Sequence, residues 1–352
     1  MKIGIAGPPF GGKSTLFQAM TGQAPDPAGS AGATGVLARV TVHDPRLDHL
    51  SSVFKPKKHT PAQLDVVDFP GFELGDTSER KKQVLAQLRD MDALILVFGA
   101  FGEGESPARA AEAYDAVKVE FFFSDIEILD KRIEKLRVGV TKSTKTREAE
   151  AKELELLERV RGEAEKRETL AGIRLEPAEE KILRGFAFLS QKPTIVVINE
   201  KDAPAGDLPP EVKARCPGAV RLSAQLEKEI AELAPEEREP FLKDLGLDEP
   251  VGRRMVREIY RLLGLLSFFT TGEDECRAWT IRAGDNAVAA AGKIHSDLAR
   301  GFIRAEVYSY DSFRELGSEK AVKAKGLLRT EGKDYVVKDG DILTVLFNVT
   351  GR

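Results

Sequence analysis

The string Gly7-Pro8-Pro9-Phe10-Gly11-Gly12-Lys13-Ser14 has the spacing G-x-x-x-x-G-K-S. In that pattern glycines let the backbone wrap an anion, amides at the following helix start donate to it, lysine adds a compact positive charge, and the serine hydroxyl ligates Mg2+. The chemistry is phosphate binding, with Thr15 next in line at the helix start. A second string, Asp68-Phe69-Pro70-Gly71, has the form D-x-x-G. Its carboxylate would hold the metal through water and its glycine amide would face a terminal phosphate. Lys13, Asp68 and Gly71 are therefore the catalytic candidates, and Ser14 and Asp68 the metal candidates. Phe72 follows Gly71 where many switch GTPases carry a glutamine that orients water, and a phenyl ring cannot do that.

A third string, Asn199-Glu200-Lys201-Asp202, has the N-x-x-D form of a base-reading motif. An aspartate there can accept two hydrogen bonds from the N1 and N2 edge of guanine, whereas adenine offers no matching pair. Glu200 stands where a lysine usually packs over the base, with Lys201 one place late. Ser223 and Ala224 are expected to add backbone contacts to the base. Taken alone Asp202 favours GTP; the substrate stays GTP or ATP, with Mg2+.

These residues need a scaffold that brings three loops to one sheet edge. Apolar runs at 3–6, 64–68, 93–98, 194–198 and 219–222 read as buried parallel strands, and helical spacing at 14–20, 80–89 and 253–263 falls between and after them. Such alternation predicts an α/β doubly wound sheet, the P-loop NTPase arrangement, with ligands at the strand C-termini. The alternation breaks at 118–185. Ile126, Leu129, Ile133, Leu136 and Val140 repeat at helical steps, and a second helical stretch covers 146–170, so an inserted antiparallel helical hairpin is expected. Lys131, Arg132, Lys135, Arg137, Lys142, Lys145 and Arg147 face one acidic residue, Glu134, over the same span, which predicts a basic tip able to meet RNA or another acidic surface. Beyond residue 266, short strands at 277–281, 303–310, 335–338 and 342–348 with Gly-rich turns predict a separate α+β domain. The expected domains are 1–117 with 186–266, 118–185, and 267–352.

Bulk properties narrow the setting. The 352 residues exceed one typical domain, and the net charge of −4 gives no global attraction to nucleic acid, so any such contact is local. Two cysteines without metal-ligand spacing indicate neither a disulfide framework nor zinc. No apolar run is long enough for a membrane span and no secretory signal opens the sequence, so the expected location is the cytoplasm. His43, His49 and His59 lie near no nucleophile or ligand set, and His295 reads as a surface or structural histidine rather than part of a ligand surface.

Several stretches resemble the YchF or Obg-like ATPase family across essentially the whole chain. Residues 265–272 (LLSFFTTG), 277–281 (RAWTI), 291–297 (AGKIHSD), 301–307 (GFIRAEV) and 331–341 (EGKDYVVKDGD) are similar to that family's TGS domain, a ubiquitin-like β-grasp fold. Asp44-Pro45-Arg46-Leu47-Asp48 and 235–247 also look like family signatures. The resemblance implies a ribosome-associated P-loop ATPase/GTPase that hydrolyses slowly and carries an apolar residue where Phe72 stands. A nucleotide-dependent protein-binding switch with negligible turnover is the alternative. Counting from Lys13 places the first-switch metal ligand at Thr34, whereas counting back from Asp44 places it at Gly32. The sequence departs from the family at Phe10, usually Asn, at Asp202, usually Glu, and in the residues after Asp68.

Overall fold

The computed structural model describes residues 1–23, 35–141, 146–202 and 207–348. Thr34, Lys142 and Lys145 lie outside them. In chain order the strands are β1 Lys2–Ala6, β2 Val36–Thr41, β3 Lys58–Thr60, β4 Gln63–Asp68, β5 Ala93–Gly99 and β6 Thr194–Asn199, then β7 Val220–Leu222, β8 Leu265–Thr270, β9 Glu275–Arg282, β10 Phe302–Ser309, β11 Arg329–Glu331 and β12 Asp341–Phe347. They form two six-stranded sheets, in orders β2-β4-β1-β5-β6-β7 and β11-β10-β12-β8-β9-β3. The chain divides into two compact units, residues 1–38 with 65–251, and 39–64 with 252–352.

In the first unit β4, β1, β5, β6 and β7 run parallel. Their Val, Ile and Leu runs are covered on both faces, and Ala93 through Phe98 are all buried. This is why they read as continuous apolar runs rather than alternating ones. Both β1 and β4 end at the loops that carry the motifs, as do β6 and β7.

The helical insertion is rooted differently from the expected bounds. One continuous helix, Pro107–Gly139, starts with Ser106 capping the Arg109 amide. Its first part buries Ala110, Ala111, Val117 and Phe121 against Leu94, Leu96 and Phe98 of the sheet. Its second part buries Leu129, Ile133 and Leu136 against Leu156, Leu157, Val160 and Ala164, all on the returning helix Arg147–Arg167. The crossover helix simply continues into the hairpin. Among the described residues, three of the basic side chains are already paired, two with the acidic returning helix and one within the outgoing helix. Arg132 donates to both carboxylate oxygens of Glu153 at 2.8 and 2.7 Å, Arg137 to Glu158 at 3.0 and 2.7 Å, and Lys131 to Glu127 at 2.6 Å.

In the second unit β8 and β9 form an antiparallel hairpin, β12 runs parallel to β8, and β10 pairs antiparallel with β12 and β11. The helix Ala287–Ile294 buries Ala287, Ala290 and Ala291 against Phe268, Ala305, Val307 and Leu343. A hairpin, a packed helix and a parallel central pair make a β-grasp arrangement. Residues 335–338 are not the expected strand, since Val336 makes a single bridge to Asn286 while Asp339 and Gly340 turn the chain, with Gly340 at φ 83°. The 303–310 strand stops at Ser309, whose side chain caps the helix beginning at Tyr310.

Residues 39–64, expected in the nucleotide domain, pack instead with this β-grasp part. β3 extends the sheet by pairing with β9, from Lys58↔Glu275 to Thr60↔Arg277. The helix Pro45–Phe54 is capped by Asp44. Its Arg46 donates to Asp44 and to Asp339, with the guanidinium 5.2 Å from the Phe269 ring centre. The Asp44-Pro45-Arg46 string is thus a docking device.

A buried node ties three elements of the first unit. Asp125, 0% exposed, accepts from Arg89, from the Leu189 and Ser190 amides at 3.0 and 2.9 Å, and from the Ser190 hydroxyl at 2.7 Å. Removing it strands the nearly buried guanidinium. We predict that Asp125→Ala lowers unfolding free energy by about 3–5 kcal/mol in urea titration. A loss below about 1 kcal/mol would show that Arg89 finds another acceptor.

Candidate nucleotide-binding site

The loop between β1 and the helix Lys13–Thr21 is built from backbone contortion. Gly7 sits at φ 139° and Gly12 at φ 89°. A Cβ at Gly7 would lie 2.4 Å from the Val97 carbonyl, and one at Gly12 would lie 2.0 Å from the Asn199 side-chain nitrogen. Both positions require glycine for space as well as for φ. Phe10 takes a left-handed φ of 59° with its ring 95% exposed. A non-glycine residue held there stores strain of about 1 kcal/mol or more.

The expected phosphate and metal groups converge. Lys13 is buried and its Nζ donates to the Pro8 carbonyl at 2.6 Å. Burial holds the ammonium pKa down at about 8, with the charge of Asp68 acting in the opposite direction. Ser14 Oγ donates to Asp68 Oδ2 at 2.6 Å. Asp68 Oδ1 is buried with no hydrogen-bond partner, and burial raises the pKa of this carboxyl against the Ser14 bond and the Lys13 charge. A buried, unpartnered carboxylate oxygen next to a serine hydroxyl is a donor set that suits a hard divalent cation. Gly71 packs so closely that an added Cβ would meet Pro9 Cα at 2.7 Å and Lys13 Nζ at 3.0 Å. Phe72 is buried, its ring 6.3 Å from that of Phe121, and presents no polar group.

Beside the phosphate loop lies a cavity of about 680 Å³, whose walls include Gly12, Thr15, Asn199, Asp202, Ser223 and Ala224. Asn199 is buried, donating to the Gly11 carbonyl at 3.0 Å and accepting from the Ala224 amide at 2.8 Å. That amide is therefore unavailable to a base, contrary to expectation. Ser223 Oγ donates to the Lys201 carbonyl at 2.8 Å and caps the next helix. Asp202 is exposed.

Some lining residues escape sequence reading. Phe101 stands two residues past β5 and Glu229 comes from a helix with no motif, while Leu245 lies in the 235–247 signature, which assigns it no site role. Arg221 lies in register beside Ile198 and grips Glu200 through Nε and Nη2 at 2.8 to 3.1 Å. The out-of-pattern Glu200 is thus a buried ion-pair partner. An acidic residue in place of the usual lysine was the available signal, without indicating its partner.

Residues 2–200 match a family model described as 50S ribosome-binding GTPase. Residues 265–348 match a model of the YchF GTPase C-terminal region, described as a protein of unknown function. The chain is 35% identical over 367 residues to the ribosome-binding ATPase YchF of Escherichia coli O157:H7, covering 99% of each. With the protein of the same name from Bacillus subtilis strain 168 it shares 32% over 368 residues, covering 99% of this chain and 100% of that one. Among solved structures, the Schizosaccharomyces pombe YchF GTPase superposes with a TM-score of 0.83 at 27% identity, covering 98% of this chain and 97% of the other. Motifs, sheet order and similarity over the full length agree, and the chain belongs to the YchF family of P-loop nucleotide hydrolases.

Proposed function

We propose that the protein binds a purine nucleoside triphosphate with Mg2+, hydrolyses it slowly, and couples that cycle to association with the ribosome in the cytoplasm. The observation that carries the chemistry is the Ser14–Asp68 hydrogen bond with Asp68 Oδ1 left buried and unpartnered beside Lys13. Gly7, Pro8, Pro9, Phe10, Gly11, Gly12 and Thr15 frame the phosphates, Lys13 exchanges the Pro8 carbonyl for phosphate oxygens, and Ser14 and Asp68 hold the metal. Thr34 remains the candidate for a further metal ligand. Gly71 offers its amide to the terminal phosphate.

The ribosome enters through the relatives, which carry the name ribosome-binding ATPase. On the hairpin, Lys135, Lys142, Lys145 and Arg147 are the basic residues best suited to a polyanion, because Arg132 and Arg137 are already held by Glu153 and Glu158. The TGS-like part is the second contact surface. Buried Phe72 favours a second reading, a protein-binding switch with negligible turnover, since that position supplies nothing to orient water.

Asp68→Asn tests the metal role. The amide leaves the Ser14 contact possible but removes the charge, so Mg2+-dependent turnover should fall at least about tenfold, while metal-free nucleotide affinity changes little. Unchanged Mg2+ dependence would remove Asp68 from the metal site.

Lys13 gives a pH test. Binding needs the ammonium, and the free protein loses that proton as pH rises through about 8. Triphosphate affinity should therefore weaken about tenfold between pH 7 and pH 9. A flat profile would show that Lys13 is not titrating in the free protein.

For the base, Asp202 is exposed, so a carboxylate left without guanine keeps its water and the penalty for adenine is small. GTP and ATP should bind within about tenfold of each other, and Asp202→Ala should weaken GTP more than ATP. Competition titrations in which the substitution affects both equally would remove Asp202 as the guanine reader.

A further inference from the structure

The stretch after Gly71 has an unusual anchorage. Phe72 and Lys81 are buried, while every residue from 73 to 80 is exposed. Glu120, on the long helix Pro107–Gly139, holds that stretch within its length and at its far end with one carboxylate. Its Oε1 accepts from the Gly75 amide at 2.7 Å, where Gly75 turns the chain at φ 77°. Its Oε2 accepts from Lys81 Nζ at 2.6 Å. The Lys81 side chain is 5% exposed, so the ammonium depends on this partner. One residue further along, Phe121 meets the ring of Phe72.

We propose that Glu120 is a positioning residue for hydrolysis, holding the stretch that begins at Gly71 so that its backbone amides are ordered before the nucleotide reacts. The proposal rests on the nucleotide-hydrolysis reading above. Phe72 gives no side-chain help, so stabilisation on this side of the site falls to backbone groups, which work only when they are aimed. Displacing such groups by about 1 Å costs on the order of a hundredfold in rate. An exposed stretch held by a charge-assisted bond at its middle and an ion pair at its end keeps that aim without touching the nucleotide. Glu120 therefore acts on turnover rather than on binding.

The test compares two full-length variants. Lys81→Met with Glu120→Leu removes both charges together, so no buried charge is left unpaired, and it deletes the tether to Gly75. Its kcat should fall about tenfold or more while affinity for a non-hydrolysable triphosphate stays within about twofold of wild type. Glu120→Gln alone keeps an acceptor for the Gly75 amide, and it should keep most of the turnover that the double variant loses. A merely structural role would move kcat and affinity together. Equal turnover in the double variant and wild type, parallel loss of kcat and affinity, or a Gln variant no better than the double variant would each overturn the proposal. Wild-type protein that hydrolyses no triphosphate would overturn the parent reading as well, whereas normal wild-type turnover with indifferent variants overturns this one alone.

Discussion

The site depends on the two hydrogen bonds of one buried amide. Asn199 donates from Nδ2 to the Gly11 carbonyl and accepts at Oδ1 from the Ala224 amide, so the end of β6 fixes the phosphate loop on one side and the base-side helix on the other. An amide suits this place because it donates and accepts at once without a charge to desolvate. The same contact explains why Gly12 has no room for a side chain. Lys13 and Ser14 follow in the next turn, and their placement against Asp68 inherits the register that Asn199 sets.

Charge within this framework is handled by close pairing. Glu200 with Arg221, Glu120 with Lys81 and Asp125 with Arg89 each put a largely buried carboxylate against a cation from another element of the first unit. Such pairs add little net stability, but breaking one side is costly, so they act as register marks between elements. Asp68 differs from these three pairs: one of its oxygens takes the Ser14 hydroxyl and the other is buried and left open beside Lys13. That contrast separates a group kept for a ligand from groups kept for structure.

The sequence made the sheet legible because its parallel strands are buried on both faces and so appear as unbroken apolar runs. The three loop motifs were legible for the same reason, each following such a run. What stayed hidden was either short or non-local. β2 alternates buried and exposed positions, with Leu37 exposed, and β3 spans three residues whose identity as a strand comes only from pairing with β9. The partners of Arg132 and Arg137 lie on a different helix, so counting charges along one stretch did not reveal those two pairings. Tyr335–Lys338 carries strand-forming residues yet is held by Asp285, Asn286 and Ala287 as a loop, since its amides and carbonyls find partners there rather than in the sheet.

Residues 39–64 lie early in the chain but complete their packing with residues from 252 onward. During synthesis the chain emerges in order, so Leu47, Leu50 and Phe54 leave the exit tunnel long before β9 and Phe313 exist to cover them or pair with β3. The early segment must wait, apolar side outward, through more than half of translation. The first unit has all its residues by position 251, whereas the second, split by that unit, is finished only near its last strand. An arrest before residue 275 leaves β3 without the strand it pairs with.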